Sequence, residues 1–259
     1  FTRFEQQMEM AGSRSAGGSD STMVRHSTMV RHSTMLLLSR VMVLAGDDEG
    51  TTVVTITDSV AVAASGGRTT ESPEETRRAL QGQRVRMRIT PQGSATLLDR
   101  PTATDPDLRS QRAGAMSAGL GSLVSQMPAM LPRQPVGVGE TWAQMMRVPM
   151  AGGADPGEGA TLHVVYRLDS LTHQGNVAHI SMRGTITRDS TAADLPQGVK
   201  LITTGSIVGH LAVDRRRGWW MESQATYAMN STFTPRRTAG AVPMHLYTKI
   251  TQRMEARGR

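Results

Sequence analysis

The chain has 259 residues, of which 38% are hydrophobic and only nine aromatic (three each of Phe, Trp and Tyr), so Val, Leu, Ile, Ala and 18 Met must fill its interior. Its formal charge is +7, and only Lys200 and Lys249 of the 29 basic residues are lysine; this balance favours anionic partners in general and names none. The absence of cysteine excludes a disulfide framework, a thiolate nucleophile, an iron–sulfur cluster and Cys-type zinc sites.

Phe1–Met10 reads as a strand leading into the Gly/Ser-rich stretch Ala11–Ser19, which reads as a loop. Ser21–His26 and Ser27–His32 are identical copies of S-T-M-V-R-H, followed by a partial third copy at Ser33–Met35. Repetition of this kind is expected to lengthen a loop, so residues 11–35 are read as a loop and repeat insertion. The apolar run Met35–Ala45 contains Arg40 and is far shorter than the ~20 residues that cross a bilayer, so no transmembrane helix is predicted. It pairs instead with the β-branched run Thr51–Val62 as a hairpin about Gly46-Asp47-Asp48-Glu49-Gly50. Ser72, Pro73 and Glu75 stand at cap, first and third helical positions, predicting a short helix over Pro73–Gln81 that Gly82 ends. In Gln83–Thr90, Val85, Met87 and Ile89 alternate with Arg84, Arg86 and Arg88, and Pro91-Gln92-Gly93 turns that strand into Ser94–Asp99.

Asp105 and Pro106 open a predicted second helix, Pro106–Met127, with an apolar stripe through Leu108, Met116, Leu120, Leu123, Val124 and Met127. Gly114, Gly119 and Gly121 weaken it by up to ~1 kcal/mol each relative to Ala, so it is expected to need a sheet to pack on. Pro128, Pro132 and Pro135 then make an extended connector, and a strand meander follows. Leu162, Val164, Tyr166 and Leu168 share one face of Ala160–Leu168, as do Ala178, Ile180, Met182 and Ile186 in Val177–Thr187. Ser206–Asp214 carries Ile207, Leu211 and Val213 with Gly209 in register. Asp214–Gly218 turns into Trp219–Ser231, whose odd positions are Trp219, Met221, Ala225, Tyr227 and Met229, and Met244–Met254 is the last strand. Connections this short imply antiparallel neighbours.

The segments P-V-G-V-G-E-T-W at Pro135–Trp142 and T-G-S-I-V-G-H-L-A-V-D-R-R-R-G-W at Thr204–Trp219 resemble an uncharacterised family of bacterial secreted or lipoprotein-like β proteins, over about half of the chain. The resemblance implies export and an architecture similar in outline to bacterial lipoprotein carriers and lipid-binding lipoproteins. A chain that begins at Phe1 rather than at methionine fits a processed or truncated N-terminus, so the expected location is extracytoplasmic, periplasmic or associated with the cell envelope.

Standard catalytic signatures are missing: there is no G-x-S-x-G, H-E-x-x-H, P-loop or dinucleotide fingerprint. Gly137-x-Gly139 imitates a phosphate loop but lacks the helix that would hold the phosphate. His26, His32, His163, His173, His179, His210 and His245 lack tight ligand spacing, and His163 and His179 are placed as cross-strand neighbours rather than as a zinc site. Asp47–Glu49 reads as a solvated turn, and Glu74 with Glu75 as helix capping. Arg84, Arg86 and Arg88 form a charged stripe, joined by the turn cluster Arg215, Arg216 and Arg217; as a functional feature these six would contact an anionic membrane surface or a polysaccharide. Nucleic acid is not expected, for want of aromatic platforms among the arginines.

The expected fold is mainly β: one single domain over residues 1–259, a highly curved antiparallel sheet or partly open barrel with one long and one short helix packed on it. Its parts are an N-terminal half (1–100), a helical connector (101–135) and a C-terminal meander (136–259). The expected function is non-enzymatic, with no cofactor and no metal: binding of a hydrophobic or amphiphilic, lipid-like ligand on the concave face, lined by Trp142, Tyr166, Met182, Trp219 and Tyr227. The alternatives are a cell-envelope interaction module, and a hydrolase whose His163, His179, His210, Asp169 and Glu222 would have to converge in a pocket.

Overall fold

Two-residue periodicity becomes extended strand along nearly all of the chain described by the computed structural model, which covers residues 2–14, 27–65, 73–91, 93, 95–98, 131–148, 160–189, 199–235 and 243–256. The strands are β1 (Thr2–Arg14), β2 (Ser27–Asp47), β3 (Gly50–Ser65), β4 (Arg84–Ile89), β5 (Ala95–Leu97), β6 (Thr141–Val148), β7 (Ala160–Thr172), β8 (Val177–Asp189), β9 (Val199–Asp214), β10 (Trp219–Pro235) and β11 (Met244–Ala256). They form one antiparallel sheet in the order β5-β4-β3-β2-β1-β11-β10-β9-β8-β7-β6. The sheet is open, with β5 and β6 at its edges. From β1 in the middle the chain steps outward to β5, resumes at the far edge with β6, and steps inward to β11, which pairs with β1 along its whole length.

The hairpin β2–β3 turns at Asp48-Glu49, where the Asp47 carboxylate accepts the N–H groups of Glu49 and Gly50. The helix α1 (Pro73–Leu80) follows its sequence signature, ends at Gly82 with φ +78°, and packs against β3. It is the one helix among the described residues. The helix expected over Pro106–Met127 lies outside them.

Part of the expected insertion over residues 11–35 is instead sheet: β1 continues to Arg14, and β2 begins at Ser27, taking in the second copy of the repeat and the partial third. The reason is the even repeat length, which preserves alternation across copies: Arg31, Ser33 and Met35 are half-buried, while Val30, His32 and Thr34 are exposed.

Register carries one face of the sheet continuously from edge to edge. Met87 pairs with Val53, Val53 with Val43 and, farther along, Leu37 with Phe4, Phe4 with Met254 and Met254 with Ser223. On this core face two clusters are buried. The larger comprises Leu162, Val164, Tyr166, Leu168, Ile180, Met182, Ile186, Ile207, Leu211 and Val213, with Leu131 and Val136 of the connector packed on it. The smaller is Val53, Met87 and Ala95.

Candidate functional site

The residues singled out for ligand contact divide three ways. Tyr166 and Met182 are buried inside the larger cluster. The ring of Tyr166 stacks on that of Trp142, centroids 5.5 Å apart and planes 14° apart. Burial, and secondarily the neighbouring Tyr227, pushes the Tyr166 hydroxyl well above its ordinary range, and burial raises Tyr227 as well. The small residues near Met182 leave no room between layers: a Cβ on Gly209 would stand 2.5 Å from Met182 Cε and 2.3 Å from the Gln224 carbonyl oxygen, so the methionine fills the space the glycine vacates. Trp142 and Tyr227 are half-buried at the cluster's margin.

Trp219 departs from expectation. A β-bulge between Trp220 and Glu222 shifts β10 by one residue, so Trp220 pairs with Val213 on the core face while Trp219 pairs with Asp214 on the opposite one. Trp220, which strict alternation assigned to the wrong side, is the tryptophan packed on the cluster. No local sequence signal marks the bulge, which leaves Met221 exposed.

Between the two clusters, the core face of β2, β1 and β11 carries the half-buried apolar residues Met35, Leu37, Phe4, Met8, Leu246 and Ile250, interspersed with Gln6, Ser33, Thr248 and Gln252. Among the described side chains, the charged residues that register places on this face are the arginines Arg31 and Arg188. Arg31 stands opposite Met10 and is half-buried. Arg188 is 6% exposed and pairs with Thr203, which is fully buried and hydrogen-bonded through Oγ1 to the Ser231 hydroxyl at 2.9 Å. A cavity of about 310 Å³ adjoins this row, with Gly12, Ser231 and Leu246 in its lining.

The two arginine clusters do not form one patch, because five strands separate β4 from β9. Arg84, Arg86 and Arg88 lie on the face opposite Val53 and Met87, and Arg88 bonds the Asp47 carboxylate, holding it below the usual carboxylate range. At the β9–β10 turn, Arg215 donates to the Gly175 carbonyl at 2.7 Å, while the N–H groups of Arg216 and Arg217 donate to Asp214.

His163, His179, His210, Asp169 and Glu222 all lie on the opposite face and line neither of the two best-formed cavities. His163 pairs with Thr185 and His179 with Ser170, so they are not the cross-strand neighbours expected; seven residues of strand, about 23 Å, separate their pairing positions. The convergence that a hydrolase would need is not formed by these five. Among the described residues no group of three or more His, Asp or Glu is placed to hold a metal. Gly137-x-Gly139 is a turn whose Gly137 N–H donates to the Glu140 carboxylate at 2.6 Å.

Residues 116–220 match the model of a family of unknown function (DUF6263), a stretch that contains both segments on which the resemblance was drawn. No curated protein matches. Among solved structures the chain is similar to one described as lipid–protein interactions in lipovitellin, at 7% identity and a TM-score of 0.43, covering 99% of this chain and 25% of that one. It therefore spans about a quarter of that protein's length.

Proposed function

We propose that this chain is an exported, non-enzymatic protein that binds a hydrophobic or amphiphilic ligand carrying an alkyl chain. The ligand lies against the core face over β2, β1 and β11. One observation carries the reading: between the two packed clusters the core face keeps half-buried apolar side chains, Phe4, Met8, Met35, Leu37, Leu246 and Ile250, interspersed with the uncharged polar Gln6, Ser33, Thr248 and Gln252. Apolar surface left in this state gains from any further removal from water, about 25 cal/mol per Å². An alkyl chain laid across these three strands, two strand spacings or about 10 Å, supplies that cover. The binding strip accordingly has Tyr227, opposite Ile250, at its border, with Met182 and Tyr166 packed farther along the same face on β8 and β7.

The three tryptophans provide the test, because Trp142 and Trp220 belong to the core face and Trp219 to the other. In single-tryptophan variants made with Phe at the other two positions, a bromine-bearing long-chain alcohol should quench Trp220 most, leave Trp142, five strand spacings from β11, little affected, and spare Trp219. No quenching of any tryptophan, or equal quenching of all three, would overturn the reading.

A further inference from the structure

We propose that Arg188 seats the anionic group of the ligand, a carboxylate or phosphate attached to an alkyl chain; this rests on the amphiphile reading above. Arg188 is buried, and among the described residues its Nη1 and Nη2 have no hydrogen-bond partner. Nor is a counter-charge supplied on its own side of the sheet: among described side chains, the core face holds Arg31 and Arg188 and no carboxylate. The glutamates of β1, β10 and β11 (Glu5, Glu9, Glu222 and Glu255) all fall on the opposite face by register.

An unpaired buried cation is among the costliest features a fold can retain, and pairing it with an anion of matching shape removes that cost. The two terminal nitrogens of a guanidinium form a planar fork suited to two oxygens of a carboxylate or phosphate. In the same row as Arg188, Thr203 and Ser231 share one hydrogen bond at 2.9 Å, which uses one of their two hydroxyl protons and leaves the other to donate to a third oxygen. The row Arg188–Thr203–Ser231 runs across β8, β9 and β10 and ends at Leu246 of β11, where the half-buried apolar strip begins. Charge and alkyl chain thus have adjoining places on one face.

The test compares, by titration calorimetry on delipidated protein, a fatty acid, the monoalkyl phosphate and the neutral alcohol of equal chain length, with acetate and inorganic phosphate as chain-free competitors. The acid and the phosphate ester should bind about tenfold or more tighter than the alcohol, the free-energy scale of a charge-assisted hydrogen bond. Arg188→Gln should erase that preference, bringing the acid and the ester to the alcohol's affinity, and Arg188→Lys should retain part of it should the glutamine variant misfold. Relief of the unpaired charge should also raise the melting temperature of ligand-free Arg188→Met above that of the wild type. Equal affinity for all three amphiphiles with no effect of Arg188→Gln overturns this inference and leaves the amphiphile reading standing. Failure of the alcohol, acid and ester alike overturns both, and competition by inorganic phosphate or acetate at concentrations matching the amphiphiles shows a free small anion to be the ligand.

Discussion

Tyr166 shows how far one position can be read before coordinates. Alternation in Ala160–Leu168 put its ring among Leu162, Val164 and Leu168, and there it lies, stacked on Trp142. What alternation does not report is the electrostatic result. A free phenol titrates near 10.0, and burial raises both Tyr166 and Tyr227 above that, so the folded protein holds protons that the unfolded chain gives up first. The sign follows: the contribution of these groups to stability is complete below about pH 10 and is lost as pH climbs from there toward their folded values. Urea denaturation midpoints should be flat up to about pH 10 and fall above it, with tyrosinate absorbance from these two residues appearing only with unfolding. Replacing both with Phe should flatten the profile; ionisation of Tyr166 and Tyr227 near pH 10 in folded protein would contradict it. Arg188 was illegible for a different reason. Arginine on a strand is ordinarily read as a solvent-facing residue, and the apolar alternation of Val177–Thr187 ends one position before it, whereas β8 continues to Asp189. Only the register with Thr203 and Ser231 reveals that it belongs to the core side.

Elements with a local physical cause were the most legible. The helix α1 follows from a capped N-terminus and a terminating glycine, and the β2–β3 turn from a polar, Gly-bounded loop that Asp47 ties with two hydrogen bonds. The bulge in β10 has no such signature, because one extra residue in a strand is specified by how its neighbour packs and not by its own sequence. Its consequence is measurable. Trp220 packs on the buried cluster and Trp219 does not, so Trp220→Ala should cost about 2–3 kcal/mol in chemical denaturation, somewhat below the range for a fully buried tryptophan. Trp219→Ala should cost less than about 1 kcal/mol. The reverse order would mean that strict alternation had been correct and that the tryptophan-quenching assay assigns its faces wrongly.

At the scale of the whole molecule, sequence periodicity gave strands and antiparallel hairpins but could not give the seam. β1 and β11 pair over thirteen residues, from Thr2 with Ala256 to Arg14 with Met244, and no local signal links segments so far apart. Yet that seam makes one sheet of two meanders, β1–β5 and β6–β11, each of which is otherwise built only from neighbours in sequence. It also places the half-buried strip at the centre of the sheet, where both meanders contribute to it. Met8→Pro tests whether the seam couples them. Met8 lies at mid-strand between Ile250 and Ser33, where a proline removes a ladder hydrogen bond and leaves a carbonyl unsatisfied at about 1–3 kcal/mol. All three tryptophans (Trp142, Trp219 and Trp220) belong to the C-terminal meander, so fluorescence reports that half alone, while far-ultraviolet circular dichroism reports both. In the wild type the two signals should fall together in urea, as one cooperative unit requires. In Met8→Pro the circular dichroism should begin to fall at lower urea than the fluorescence, because the N-terminal meander keeps only the small Val53–Met87–Ala95 cluster once its link is broken, whereas the larger cluster holds the C-terminal half. Coincident curves in the variant would mean that the halves are coupled by something other than the β1–β11 ladder.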